Sequence, residues 1–140
     1  LLATRAAIYM SLLGKRGIAQ LAQTCSDRAH YLASRIARLK GFSIPFGAAF
    51  FNEFVVESPI AARIILDRLR CRGILGGIDL GGRLPGFDSR FLVSVTEKHA
   101  PDVLDRFVEE LRSVSSEGFS NSPAVEASFA GRDMTASDRR

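Results

Sequence analysis

The chain has 140 residues, of which 46% are hydrophobic, 24% charged and 9% aromatic, with 12 glycines, 5 prolines and no tryptophan. That is the composition of one ordinary globular domain, and it excludes a disordered, collagen-like or disulfide-framework chain. The formal net charge is +4. Cys25 and Cys71 are too few for a disulfide scaffold and match no metal-site spacing. No apolar run reaches the ~20 residues of a membrane span and no signal peptide opens the chain, so the expected setting is reduced, soluble and cytoplasmic, with no membrane partner.

The basic excess sits in residues 1–40, which carry seven Lys or Arg against one acid. Arg28, Arg35 and Arg38 punctuate an apolar helix whose only aromatic is Tyr31. A nucleic-acid surface would cluster such charges on one face and interleave them with aromatics. The expectation is therefore a solvated or subunit-facing helix and no nucleic-acid partner.

Residue 1 is Leu, and the chain opens inside an apolar pattern, as the end of a longer polypeptide would. Residues 2–13 are apolar almost all round, which predicts a helix packed on several sides. Gly14 and Gly17 bracket Lys15 and Arg16 and read as its end. A second helix is predicted over residues 18–39. Its Ile18, Leu21, Cys25, Ala29, Leu32, Ile36 and Leu39 recur at steps of three and four, and Gly41 closes it.

Short strands are expected at 42–44 and, more strongly, at 50–56, where aromatic and β-branched residues concentrate. Ser58-Pro59 has the form of a helix start, a capping hydroxyl before a first-turn proline, and Gly73 ends that helix. A glycine-rich stretch at 76–82 precedes a buried-type strand at 91–95. Pro101-Asp102 opens a last helix that runs to Val114 along an apolar stripe. Residues 115–140, rich in Ser, Ala and Gly, are expected to be a disordered tail. The division is thus a helical segment at 1–40, a small domain at 41–114 and the tail. So few strands favour a small, mostly antiparallel sheet covered by helices on one face, an α+β fold.

No complete catalytic set emerges. The glycine-rich stretch matches neither a dinucleotide fingerprint nor a phosphate loop, and reads as a mobile connection that could let backbone approach a ligand or subunit. His30 reads as a surface residue, His99 as part of a helix cap, and Cys25 as a packed thiol. Cys71 is assigned no role. Asn52 and Glu53, and Thr96 and Glu97, interrupt or end apolar strands, where structural hydrogen bonding is the favoured explanation. The three lysines, Lys15, Lys40 and Lys98, stand in no cofactor-binding context.

Six stretches in register carry a resemblance: 6–15 (AAIYMSLLGK, with Gly17 following), 29–32 (AHYL), 51–54 (FNEF), 73–77 (GILGG), Leu80-Gly81 and 93–97 (VSVTE). Together they resemble the C-terminal part of the α subunit of two-chain glycine dehydrogenase (decarboxylating), the P-protein of the glycine cleavage system. The resemblance implies the small C-terminal domain of a fold-type-I (aspartate aminotransferase-like) chain, with residues 2–39 leaving the large domain. It implies an enzyme subunit inactive by itself. The partner β subunit would hold pyridoxal phosphate on its lysine, glycine would be the substrate, and the aminomethyl group would pass to the lipoyl arm of the H-protein. It departs from the family where Gly82 stands between Gly81 and Arg83. Asn52, Glu53, Gly76, Gly77, Arg83 and Glu97 are the residues expected at the subunit interface or active-site mouth. The alternatives are the C-terminal domain of another fold-type-I enzyme, an aminotransferase or cysteine desulfurase, and a stand-alone α+β binding module.

Overall fold

The protein is described by a computed structural model over residues 1–117. Its elements are α1 (Leu2–Ile36), β1 (Glu53–Glu57), α2 (Ala62–Cys71), β2 (Ile78–Asp79), β3 (Arg90–Ser94) and α3 (Pro101–Glu117). The three strands form one antiparallel sheet in the order β1-β3-β2. Phe54 stands opposite Val93, Val56 opposite Phe91, and Ile78 opposite Leu92.

Side chains alternate across a strand, and here the alternation decides the architecture. Phe54, Val56, Phe91, Val93 and Val95 are buried on one face. On the other, Glu57 and Arg90 pair at 3.1 Å, with the Arg90 guanidinium 4.7 Å from the centre of the Phe87 ring. The buried face is covered by Leu32 and Ile36 of α1, Ile65 and Leu69 of α2, and Leu104, Val108, Leu111 and Val114 of α3. Removing each such side chain from water contributes about 1.5–3 kcal/mol. The one-sided α+β arrangement expected from the element order is the one observed.

Polar contacts tie the helices at their rims. Arg68 donates to the Val114 carbonyl at 2.8 Å, and Arg72 donates to Ser113 Oγ at 3.0 Å and pairs with Glu110 at 2.5 Å, which joins α2 to α3. Tyr31 donates to Asp105 at 2.6 Å and Arg35 pairs with the same carboxylate at 3.2 Å, which joins α1 to α3. The Asp105 hydrogen bond raises the Tyr31 hydroxyl above its ordinary pKa.

Several expectations are corrected. The first two helices are one element interrupted at Gly14, whose backbone (φ 60°, ψ −178°) breaks the helical path where a glycine stop was expected. The second stretch ends at Ile36 rather than residue 39; Leu39 closes a turn onto the Ile36 carbonyl, and Gly41 (φ +84°) follows in a left-handed conformation. Of residues 2–13, predicted to be packed on several sides, all but the half-buried Leu13 are exposed: Leu2 is 80% and Leu12 82% accessible. The reason is geometric, since the sheet and α3 meet only the later half of α1.

The 42–44 segment contributes a single bridge, Ser43 to Glu57. The 50–56 strand starts later, at Glu53. The helix after it begins at Ala62 rather than Pro59. Ser58 does not cap it; its hydroxyl lies 2.8 Å from the carbonyls of both Ile60 and Ser89, and the Ala62 N–H is satisfied by Asp88. α3 continues past Val114, so residues 115–117 are helical; the rest of the expected tail, 118–140, lies outside the described residues.

The burial pattern separates two leucines. Leu111→Ala is expected to lower stability by about 2–5 kcal/mol, whereas Leu12→Ala in the same 140-residue chain should change it by less than about 0.5 kcal/mol. Urea unfolding followed by circular dichroism measures both.

Candidate functional site

A groove of about 520 Å³ opens at the entry to β2. Its walls are the segment before β2 (Ile74 to Gly77), the end of β3, and the first turns of α3 with Val103 and Arg106. Leu75, Ile78 and Val103 stand at its rim, 87%, 51% and 50% exposed, beside the polar Glu53 and His99.

The two glycines at its floor are structural necessities. A Cβ on Gly76 would lie 2.6 Å from Leu69 Cδ1, and one on Gly77 only 2.3 Å from the Leu92 carbonyl oxygen, at a φ of +147°. No side chain fits either contact without moving the backbone or core. Within the glycine-rich stretch, expected to be a mobile connection, Gly76 lies against α2 and Gly77 against β3, and Ile78–Asp79 forms β2.

Of the six residues predicted at an interface or site mouth, the groove gathers Glu53, Gly76 and Gly77. Asn52 lies at the end of the ladder, where its main-chain carbonyl accepts the Val95 N–H at 2.9 Å. Glu97 follows β3 and is held from α1: its carboxylate accepts from the Cys25 thiol at 3.4 Å, and its carbonyl accepts from the Arg28 guanidinium. Arg83 is not brought to the groove. It sits exposed on a turn where its N–H reaches the Leu80 carbonyl, while Asp79 accepts the Gly81 N–H at 3.0 Å.

His30 stands where the sequence implied, whereas His99, expected to cap the last helix, turns its ring back onto Thr96 instead. His30 is exposed and meets Phe50 edge-on, with ring centres 4.3 Å apart. His99 accepts the Thr96 N–H at 3.0 Å through Nδ1, which closes the turn into α3 and leaves Nε2 as the protonated nitrogen. Sequence reasoning missed Leu75, Val103 and Arg106 as groove residues. Each falls at an ordinary exposed position of a loop or helix, and only the course of the chain after Gly73 brings them together.

The arrangement offers an apolar surface with few charges. It presents no nucleophile with an adjacent base, and among the described residues no group of three or more His, Cys, Asp or Glu could hold a metal ion. No described helix is long and apolar enough to cross a membrane. Burial, with the nearby Glu97 carboxylate, pushes the Cys25 thiol above the ordinary value of 9.0. The thiolate is the reactive form, so an aromatic disulfide reagent at pH 8 should label exposed Cys71 at least about 100-fold faster than Cys25. Because burial raises its pKa, the Cys25 rate should go on climbing past pH 9.0, where an ordinary thiol begins to level off; rapid labelling of both thiols at pH 8 would contradict this packing.

Comparison with known proteins gives these features a context. No protein-family model matches the chain. A protein of Chlorobium limicola named "Probable glycine dehydrogenase (decarboxylating) subunit 1" is 44% identical over 114 residues, 81% of this chain and 25% of that protein. Its namesake in Prosthecochloris aestuarii is 43% identical over 113 residues, with the same two shares. The chain thus spans about a quarter of the length of the curated relatives it matches. Among solved structures, glycine decarboxylase (P-protein) of the glycine cleavage system, in inhibitor-bound form, superposes with a TM-score of 0.68 at 26% identity, over 77% of this chain and 24% of that one. A phosphoserine aminotransferase of Cytophaga hutchinsonii (TM-score 0.57, 15% identity, 74% of this chain and 28% of that one) shares the fold alone. The fold is therefore the small α+β domain of fold-type-I pyridoxal-phosphate enzymes, and over about four-fifths of its length the chain is similar to proteins named glycine dehydrogenase (decarboxylating) subunit 1.

Proposed function

We propose that this chain serves as the small C-terminal domain of the α subunit of a glycine decarboxylase. With a β subunit it would decarboxylate glycine and pass the remaining aminomethyl group to the lipoyl arm of the H-protein, in the cytoplasm. The observation that carries the reading is joint: 44% identity over 114 residues to subunit 1, and a backbone that follows the P-protein at a TM-score of 0.68. Either alone would support only a fold.

Pyridoxal phosphate supplies the electron sink for such a decarboxylation. The groove does not fit that cofactor. A Schiff base needs a lysine amine, and none lines the groove: Lys15, Lys40 and Lys98 are all exposed and elsewhere. The reading therefore assigns the cofactor to the β subunit, and no chemical step is routed through these residues.

What this chain would contribute is shape. Asn52, Glu53, Gly76, Gly77 and Glu97 surround the sheet end nearest the groove, and in this reading they face the interface or site mouth. Arg83, on its outlying turn, would meet a partner only at the rim.

The test uses the full-length α subunit with its β partner, lipoylated H-protein and labelled glycine. Release of labelled carbon dioxide is expected, at a rate that falls at least tenfold when the α subunit is omitted. No release from a complex shown to carry the cofactor would overturn the assignment.

A further inference from the structure

Antiparallel ladders alternate: if one residue turns its N–H and C=O toward one neighbour, the next turns them the other way. On β3 the Val95 N–H donates to the Asn52 carbonyl at 2.9 Å. Phe91, Val93 and Val95 therefore serve β1, and Arg90, Leu92 and Ser94 face the β2 side. On that side the Leu80 N–H donates to the Arg90 carbonyl at 3.1 Å, and Ile78 is the register partner of Leu92. The residue that would continue this ladder opposite Ser94 is Gly76.

Gly76 does not continue it. The positive φ of Gly77 turns the chain inward and seats Gly76 against Leu69, Leu66 and Phe107 of the core. The Ser94 N–H and C=O are left facing the groove with no partner among the described residues. Thr96, the next residue facing that way, has turned its N–H onto His99. The open edge is thus confined to Ser94 and flanked by the exposed side chains of Leu75, Ile78 and Val103.

Unpaired strand groups beside apolar pockets are the recognition surface for an added strand: the backbone supplies hydrogen bonds and alternate side chains fill the pockets. We propose that the groove receives an extended segment from the part of the full-length subunit that the C-terminal reading places before residue 1, and that this segment pairs with Ser94 as a short extra strand. The inference rests on the reading of the chain as one domain of a longer subunit. It commits to the same polypeptide because the relatives carry about three-quarters of their length outside the matched part. The segment would place apolar side chains against Leu75, Ile78 and Val103, and an acidic one toward Arg106.

The test is hydrogen exchange at single-residue resolution on the full-length α subunit, purified without other proteins. The Ser94 amide should exchange at least about 100-fold more slowly than in an open chain. The double variant Leu75→Asp, Val103→Asp should return Ser94 to within about tenfold of the open-chain rate. Val93 and Val95, bonded to β1, should stay protected in the same sample and so report that the sheet is folded. Free exchange at Ser94 in the wild-type subunit overturns the proposal, as does protection that appears only when the β subunit is added, or protection unaffected by the double variant. Glycine turnover by the complex is read in parallel. An active complex with an unprotected Ser94 would sink the strand addition alone, and an inactive, cofactor-loaded complex with a protected Ser94 would sink the functional assignment alone.

Discussion

The fold depends on the need to cover one apolar face of a sheet too small to do so itself. Three strands, one of them two residues long, cannot stand alone in water. Phe91, Val93 and Val95 come from the central strand and Phe54 and Val56 from its neighbour, and together they present a continuous apolar surface. Residues of α1, α2 and α3 meet on that surface. The positions of the outer pieces follow from it: the loop into α2, the turn after β3 and the inward fold at Gly76 are each anchored at one end to a residue already fixed by the core.

The polar contacts act as locators on this frame. Glu97 is gripped from α1 by Cys25 and Arg28, which fixes the turn between β3 and α3 against a helix about 70 residues earlier in the chain. The Ser58 N–H and hydroxyl both meet the Ser89 carbonyl, which fixes the exit of β1 against the entry of β3. Exposed ion pairs such as Arg112 with Glu109 contribute at most about 1 kcal/mol. The partly buried contacts stabilise little more, but they determine which loop lies beside which helix.

Much of this was legible in the sequence, and what was not has identifiable physical causes. The helical stripes of Leu32 and Ile36, and of Leu104, Val108 and Leu111, have the right period and face the core. The strands at 53–57 and 90–94 were marked by β-branched and aromatic residues, and the stop at Gly14 by glycine beside basic residues. Ser58-Pro59 misled because a Ser-Pro pair serves a turn as well as a helix start, and the Ser89 carbonyl, 31 residues away, competes for the hydroxyl. The glycine-rich stretch misled for a related reason. Local sequence shows that Gly76 and Gly77 are permissive, while only tertiary structure shows that Leu69 and the Leu92 carbonyl require the missing side chains. The groove could not be foreseen at all, since Leu75, Val103 and Arg106 meet only after the chain has folded.

The first half of α1 turns the same reasoning outward. Leu2, Ile8, Tyr9, Met10 and Leu12 are all at least half exposed, on a stretch that ends at the Gly14 break. A helix of about a dozen residues is marginal in water without tertiary packing, and one that is apolar all round has no face suited to solvent. In the reading proposed above, the rest of the subunit would cover both this helix and the groove, because both are apolar surfaces the described core leaves unused. Ser94 adds the directional element that apolar contact lacks: a backbone donor and acceptor pair accepts a neighbour in only one orientation and register. The helix would supply much of the attraction between the domain and the rest of the subunit, and the strand edge would set how the two are aligned.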